Sequence, residues 1–292
     1  MRVQIRHFVQ GHAHVGRLRT RRRRLAPVRP SRANELWYKA ALLGLVKHVR
    51  GLVTAHVVPA IHAAMPTTTG DRMAVGDALS PHAVDTVLHR IAQQMGGLKP
   101  YAEKLAAQAV QKNLHAVDTR LIGAIQTSVG VNLTGALTRD FAIQSAMQRA
   151  VLANVDLITS IPQQYLDQVR GVILDGFTSG TRWEDLADAI EQRGDVTESR
   201  AKLIARDQTS KMNSAFNEIR QTSLGIDSYT WQTSGDERVR EEHAANDGKT
   251  FQWDDPPETG HPGEDINCRC AAVPNFDLDA LEKEQKEQES VA

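Results

Sequence analysis

The sequence predicts an α+β protein that is mainly helical, with a helical N-terminal region followed by a compact C-terminal module that contains a small antiparallel β-sheet. Apolar residues recur at three- and four-residue intervals through most of the first 225 residues, as in helices that bury one face. After residue 225 the apolar residues alternate with polar ones, as in a half-buried strand. Turn signals from Pro and Gly then become frequent, which is typical of loops between short strands.

Capping residues and helix breakers predict where the helices begin and end. The first apolar stripe begins at Ser31 and is interrupted by the Pro- and Gly-containing stretch 66–70. Ser80 and Pro81 suit the N-cap and first position of the next helix, which the Gly-Gly pair 96–97 ends. The apolar positions of the first stripe are Leu36, Trp37, Ala40, Leu43, Val46, Val49 and Val53. Further helices are predicted over residues 101–125, 137–155, 163–177, 183–194 and 195–225.

Three short strands are predicted after the last long helix. In residues 228–233 the alternation places Tyr229 and Trp231 on one face of the first strand. The other predicted elements are strands over residues 250–253 and 270–273, and a short helix over residues 237–245. This arrangement predicts a small antiparallel sheet with an aromatic face.

The net charge of zero conceals an uneven distribution of charge. Residues 1–32 contain ten arginines and no acidic residue, whereas residues 226–270 contain eleven Asp or Glu against four Lys or Arg. Together with the apolar pattern, this distribution predicts four parts of the chain. They are a basic arm (1–32), a helical region (33–160), a C-terminal module (163–275) and a charged tail (276–292).

The composition of the basic arm is typical of a segment that is disordered alone and becomes ordered on a partner. Clustered arginines release counterions from phosphates, so nucleic acid is one such partner, and an acidic protein surface is the other. No aromatic residue interrupts the arginine run, so stacking on single-stranded bases is not supported. A nucleic-acid-binding protein acting through this arm is one alternative function. The predicted contact residues are Arg19, Arg21, Arg22, Arg23 and Arg24.

Cys268 and Cys270 are the only cysteines of the chain. A disulfide between them would close a small strained ring, which argues against a secreted disulfide framework and favours reduced cytoplasmic thiols or metal ligands. No apolar run approaches the roughly 20 residues of a membrane span. No apolar segment follows the N-terminal arginines as in a signal peptide. Neither a membrane span nor a signal peptide is therefore predicted.

Two imidazoles and two thiolates close together in the sequence predict a zinc site. Tetrahedral zinc suits the ligand set His243, His261, Cys268 and Cys270, and the turn at 262–263 allows the loop to bring His261 back. Four protein ligands leave no open position, so such a zinc would be structural. In the alternative interpretation the cysteines alternate on a short strand, one inward as a small hydrophobe and one outward.

A catalytic alternative uses the same stretch of sequence. His243 could form a nucleophilic pair with a cysteine, and Asp236, Glu241 and Glu242 suggest ligands of a hydrolytic metal. The sequence contains no glycine-rich phosphate loop, no nucleophile elbow and no H-E-x-x-H helix. We therefore expect no catalytic residues and no enzymatic activity, and we keep a metal-dependent hydrolase as the alternative.

A specific order of motifs runs through residues 163–274. A helix with R-A-x-x-I-A-R is followed by a glycine, an aromatic strand ending in Trp, D-x-R-V-R-x-x-H, a D-G turn and a terminal C-R-C. The residues are Arg200, Ala201, Ile204, Ala205, Arg206, Gly225, Trp231, Asp236, Arg238, Arg240, His243, Gly248, Pro262, Cys268, Arg269 and Cys270. This order resembles the phage Mu protein F-like family of minor head, or head morphogenesis, proteins. The family commonly has Thr-Glu after I-A-R, where this chain has Asp207-Gln208-Thr209.

The resemblance implies a low-copy head protein of a tailed phage, needed for head morphogenesis and aiding DNA packaging or ejection. It implies a location in the virion, and in the host cytoplasm during assembly. The implied partners are the portal protein and the major capsid or scaffold protein, with packaged DNA as a partner of the basic arm and no membrane. A D-x-R-x-R sequence on a turn can join neighbouring elements, so we also expect a structural charge network. Its predicted members are Arg206, Trp231, Asp236, Arg238, Arg240 and Arg269.

Overall fold

The computed structural model describes residues 25–64, 81–129 and 141–275. These residues form a mainly helical α+β fold with a small antiparallel sheet, which confirms the predicted fold class. The helices are α1 Arg32–Ala64, α2 Pro81–Gly96, α3 Lys99–Val129, α4 Phe141–Ser179, α5 Trp183–Ser223 and α6 Glu241–Asn246. The strands are β1 Ser228–Gln232, β2 Thr250–Gln252 and β3 Ala271–Pro274.

Helix α1 begins where the sequence predicts. The amide of Asn34 donates to Ser31 Oγ at 3.4 Å, which satisfies one amide that the N-terminus leaves open. The residues of its buried face are Tyr38, Leu42, Leu45, Val46, Val49, Val53, Val57 and Ile61. By length and composition Arg32–His62 is apolar enough to cross a membrane, contrary to the expectation above. A mostly buried core helix and a signal sequence near the N-terminus pass the same test, and 33% of this apolar stretch is buried, so the test by itself does not assign the helix to a membrane.

Helix α4 continues through Pro162, so the predicted start of a new helix at residue 163 is wrong. Proline has no amide hydrogen to donate and disfavours a helix interior. Here Ile158, Ile161 and Tyr165 are buried around the proline, at 1%, 1% and 2% exposure. Burial of this apolar face outweighs the local preference of proline. The predicted division of the chain at residues 160–163 therefore falls inside one helix.

Helix α5 likewise continues through Gly194, where the sequence predicts an end. A Cβ atom at residue 194 would lie 2.4 Å from Nε of Arg50, so the glycine makes room for that side chain. The guanidinium of Arg50 pairs with Glu198 at 2.7 Å and with Asp195 at 3.2 Å. Gly194 therefore permits a close approach and is not a C-cap. Asp195 and Glu198 are ion-pair partners of Arg50 within α5, so the predicted start of a new helix at residue 195 is wrong.

The described residues form two compact units, each discontinuous in sequence. The sheet unit comprises residues 25–35, 109–129, 141–150 and 207–275. The helical unit comprises residues 36–64, 81–108 and 151–206. The predicted helical region 33–160 thus contributes residues to both units, because the long helices place distant parts of the chain together.

The sheet has the strand order β2-β1-β3, and both pairs are antiparallel. Tyr229 of β1 lies opposite Phe251 of β2, and Trp231 lies opposite Ala272 of β3. Tyr229 and Trp231 are both buried at 0% exposure and lie in one cluster, in agreement with their predicted place on one face of the strand. Together with Trp253 they form the core against which the functional residues described below are packed.

Residues 25–31 belong to the sheet unit, so the predicted disorder of the basic arm is wrong for this segment. Leu25 and Val28 are buried, at 4% and 0% exposure. Asn213 Nδ2 donates to the carbonyl of Val28 at 2.9 Å, and Arg29 donates to the carbonyl of Thr233 at 3.4 Å. Two apolar residues suffice to pack an irregular segment without any helical period. The predicted contact arginines at 19 and 21–24 and the charged tail 276–292 lie outside the described residues.

Candidate metal centre

The short helix α6 places one histidine in the core of the sheet unit. His243 is the buried residue of this helix, at 2% exposure, and its ring meets Trp231 edge-on with centroids 5.2 Å apart. The neighbouring Glu241 and Glu242 are exposed. The helix therefore directs an imidazole toward the aromatic core and its carboxylates toward solvent.

The loop before β3 buries both cysteines. Asn267 has a φ of 61°, and the amide of Cys268 donates to the carbonyl of Asp265 at 3.0 Å, so the chain turns sharply here. Cys268 and Cys270 are free thiols with 4% and 5% exposure. The alternative in which one cysteine points outward is wrong, because both side chains are buried before β3 begins, and residues two apart on a strand would in any case share one face.

His243, Cys268 and Cys270 form one cluster in which the candidate ligand atoms all lie within 4.8 Å of one another. His243 Nδ1 lies 3.5 Å from Sγ of Cys268 and 3.6 Å from Sγ of Cys270. One nitrogen and two sulfur donors from α6 and the loop before β3 therefore converge at a buried point.

Asp265 determines which nitrogen of His243 faces the cysteines. Its Oδ2 lies 3.0 Å from Nε2 of His243 and 3.2 Å from the guanidinium of Arg240, which also donates to the carbonyl of Ile266 at 2.9 Å. An ionised carboxylate only accepts hydrogen bonds, so Nε2 holds the proton and Nδ1 directs its lone pair at the sulfurs. Arg240, Asp265 and His243 thus form a line of contacts that ends at the thiols.

The two thiols differ in acidity because they interact with each other. A hydrogen bond from Cys270 is the main cause that lowers the pKa of Cys268, and the amide of Gly263, 3.3 Å from its sulfur, lowers it further. The same contact with Cys268, together with burial, raises the pKa of Cys270. The pair therefore holds one negative charge on Cys268 more readily than an isolated cysteine does.

Two serines on α5 hold the loop that contains the cysteines. Ser210 Oγ donates to the carbonyl of Cys268, and Ser214 Oγ donates to the carbonyl of Pro262, both at 2.6 Å. Gly263 has a φ of 97°, and a Cβ at this residue would lie 3.0 Å from Cβ of Ser214. Glycine is therefore required where the loop passes over the helix.

Three further polar residues on the same face of α5 bind the backbone around the sheet. Asp207 Oδ1 accepts from the amide of Asn267 at 3.1 Å, so the residue that departs from the family's Thr-Glu supports the cysteine loop. Asn217 and Gln221 both donate to the carbonyl of Ala272 in β3, at 3.3 and 3.4 Å. The spacing of 207, 210, 214, 217 and 221 keeps all five on one helical stripe.

The predicted charge network contains one strong pair. Asp236 accepts two hydrogen bonds from the guanidinium of Arg269, at 2.5 and 2.6 Å, and lies 3.8 Å from that of Arg238. The bond from Arg269 is the main cause that lowers the pKa of Asp236. Because Arg269 stands between the two cysteines, this pair fixes their loop to the turn after β1.

The remaining predicted site residues have separate environments. Arg240 pairs with Asp265, as described above, and Arg206 has an exposed side chain on α5. His261 is not part of the cysteine cluster. Its Nδ1 lies 2.9 Å from the hydroxyl of Tyr229, and its ring centroid lies 4.9 Å from that of Trp253. The structure therefore brings together three of the four predicted zinc ligands.

The sequence interpretation did not identify Asp265 or the polar stripe of α5 as parts of this site. Asp265 lies among many acidic residues, so its identity alone gave no signal. The stripe was visible as Ser, Asn and Gln at helical spacing from Ser210 to Gln221.

The structure defines a mainly helical protein in which a small three-stranded sheet and a polar helical stripe enclose a histidine and two cysteines. Residues 167–273 match the family described as Phage Mu protein F like protein, which confirms the resemblance over that segment. The matched segment includes α5, the sheet and the whole cysteine–histidine cluster.

A curated protein of Haemophilus influenzae, named there as an uncharacterized protein, is 34% identical to this chain over 260 residues. The aligned region covers 89% of this chain, which spans 57% of the length of that relative. No solved structure gives a significant match.

Proposed function

We propose that this protein is a low-copy minor head protein of a tailed phage, needed for head morphogenesis. The observation that supports this function is the match of residues 167–273 to the Phage Mu protein F like family. In this proposal the protein is part of the virion after being made in the host cytoplasm.

The proposed role is structural and not catalytic. The charged residues of the matched motif pair with each other inside the module, as in Asp236 with Arg269 and Arg240 with Asp265. Side chains that are held in internal pairs fix a fold, whereas a catalytic acid or base must reach a substrate. This distribution of contacts favours a rigid assembly module.

The proposed partners are the portal protein and the major capsid or scaffold protein. Packaged DNA is the proposed partner of residues 1–24, whose arginines suit phosphate contacts, and through it the protein would aid packaging or ejection. DNA binding by the intact chain should weaken steeply with added salt. Removal of residues 1–24 should abolish this salt-dependent binding and leave the rest of the fold intact. Unchanged DNA binding after the removal would contradict DNA as the partner of these residues.

The test of the head function is deletion of residues 163–274 in a phage genome that encodes this chain. We expect normal amounts of the other head proteins, together with defective heads and loss of infectious particles. The matched control is Ile266→Ser, which changes a residue of the same module that is 58% exposed. Infectious particles at normal titre from the deletion phage would contradict the proposal.

A further inference from the structure

We propose that His243, Cys268 and Cys270 bind one zinc ion that joins α6 to the loop before β3, with Asp265 as the hydrogen-bond partner of the ligating histidine. The site stands independently of the proposed head function. It also differs from the ligand set that the sequence predicts, because His261 is outside it.

The first argument is the spacing of the donor atoms. With Zn–N near 2.05 Å and Zn–S near 2.3 Å, two ligands at a tetrahedral angle lie about 3.6 Å apart. The separations from His243 Nδ1 to the sulfurs of Cys268 and Cys270 are 3.5 and 3.6 Å. A neutral Nδ1 has one lone pair and accepts a hydrogen bond from one thiol, so hydrogen bonding explains only one of these two nearly equal separations.

The second argument is the environment of the ligating histidine. A histidine that binds a metal almost always donates its other ring N–H to a carboxylate, a carbonyl or water. Asp265 stands in that position behind His243, and Arg240 holds Asp265 in turn. Nδ1 is therefore available to a metal without rotation of the ring.

The third argument is the chemistry of the donor set. Two thiolates and one imidazole form a set that zinc prefers over the oxygen-seeking cations magnesium and calcium. The amide of Gly263 lies 3.3 Å from the sulfur of Cys268, a contact of the kind that supports a metal-bound thiolate. Zinc replaces the protons of both thiols on binding and undergoes no redox change.

The fourth coordination position belongs to water. No fourth His, Cys, Asp or Glu of the described residues joins the cluster within 4.8 Å. The three ligands are nevertheless buried, at 2%, 4% and 5% exposure, so the ion would be enclosed by the aromatic core. A zinc ion with three protein ligands keeps the open position that catalytic sites use, but the burial of this site keeps a substrate away from that position. The proposed role is therefore to cross-link two segments of a loop-rich module, as structural zinc does in small domains.

The decisive measurement uses the unaltered full chain, which has only two cysteines. Protein purified without chelator should contain about one zinc ion per chain by elemental analysis. Stepwise addition of a mercurial thiol reagent should release that ion, captured by a chromogenic chelator, as the two thiols react. Zinc content below about a tenth of an ion per chain, with no uptake of added Zn²⁺ by folded protein, would overturn the proposal.

Variants assign the ligands. Cys268→Ser, Cys270→Ser and His243→Ala should each lose the zinc, and Asp265→Asn should bind Zn²⁺ about ten- to a hundredfold more weakly. His261→Ala should retain it, as should the control His115→Ala, whose side chain is exposed. Should a ligand variant fail to fold, mercurial release from the unaltered chain still decides whether the thiols hold the metal. Loss of zinc from His261→Ala as complete as from His243→Ala, with both proteins folded, would overturn the three-ligand assignment.

Discussion

The sheet unit and the helical unit are stabilised by different kinds of contact. Among the described residues, thirteen of the buried polar or charged side chains lie in the sheet unit and two, Asn154 and Thr197, lie in the helical unit. In the sheet unit these side chains mostly bind backbone carbonyls, as Ser210 and Ser214 do, or an opposite charge, as Arg220 does. The sheet unit therefore depends on directional contacts that are shielded from water.

The helical unit relies on apolar stripes with its charges near the surface. Arg50 binds Asp195 and Glu198, and Arg170 binds Asp85, through side chains that are mostly partly or well exposed. Tyr38, a buried tyrosine of this unit, donates a hydrogen bond to Asn154 Oδ1 at 2.9 Å.

This difference shows how each unit should respond to substitution. Apolar stripes tolerate changes that preserve volume, because dispersion and burial have no direction. Buried hydrogen bonds and ion pairs specify one arrangement, because a partner left alone in the core loses its solvation. The loop with the cysteines needs such specification, since it has little regular structure of its own.

The largest contrast should come from removing one partner of an ion pair in each unit. Arg220, with 4% of its side chain exposed, makes two bonds of 2.7 and 2.9 Å to Asp118. Asp118→Ala removes the carboxylate while the charge of Arg220 stays buried, and it should lower the free energy of unfolding by about 3–5 kcal/mol. Asp195→Ala, which removes an exposed partner of Arg50, should cost about 0–1 kcal/mol. Denaturant unfolding measures both.

A double variant sharpens this test. Asp118→Ala with Arg220→Met removes the buried charge and its partner together, so it should recover much of the stability lost by the single variant. Equal losses for Asp118→Ala and Asp195→Ala would contradict the proposed difference between the units.

A smaller contrast is expected for hydroxyl groups. Ser210→Ala deprives the buried carbonyl of Cys268 of its donor and should cost about 1–2 kcal/mol. Thr178→Ala removes an exposed hydroxyl that bonds its own helix at 2.9 Å, so its loss should be close to zero. Hydrogen exchange of residues 262–273 should speed up in the first variant and not in the second. Unchanged protection in Ser210→Ala would show that the polar stripe does not hold the loop.

The sequence predicted the elements of the sheet unit well because their signals are local. Alternation identified β1 and the shared face of Tyr229 and Trp231. The short helix with His243, predicted over residues 237–245, spans Glu241–Asn246 in the structure. What the sequence missed depends on tertiary contact. Asp265 becomes a partner of His243 only when α6 meets the loop before β3, and the burial of Leu25 and Val28 requires a surface from elsewhere in the chain.

In the helical unit, tertiary contacts override local signals. Pro162 and Gly194 are typical of helix ends, yet α4 continues through Pro162 because one apolar face is buried there, and α5 continues through Gly194, where the glycine admits the side chain of Arg50. Residues spaced by three, as in Trp37, Ala40 and Leu43, drift around a helix. A stripe on one face of a helix keeps a mean spacing of about 3.6 residues by alternating steps of three and four residues. The buried stripe of α1 therefore passes through Tyr38 and Leu42 rather than through Trp37, Ala40 and Leu43.

The smallest expected effect concerns acid stability of the sheet unit. The hydrogen bond from Arg269 lowers the pKa of Asp236, so its ionised form is favoured in the folded protein. A carboxyl whose pKa is lower in the folded than in the unfolded protein stabilises the fold fully above its unfolded pKa of about 3.9. This stabilisation is lost as the pH falls through the folded pKa. Asp236→Asn should therefore flatten the dependence of unfolding free energy on pH below about pH 4, with little change near neutrality. The matched control is Asp175→Asn, which makes the same substitution at an exposed residue of the helical unit. If the unfolding free energy of Asp236→Asn changes with pH in parallel with that of the unaltered chain, the Asp236–Arg269 pair is not one of the contacts that distinguish the sheet unit.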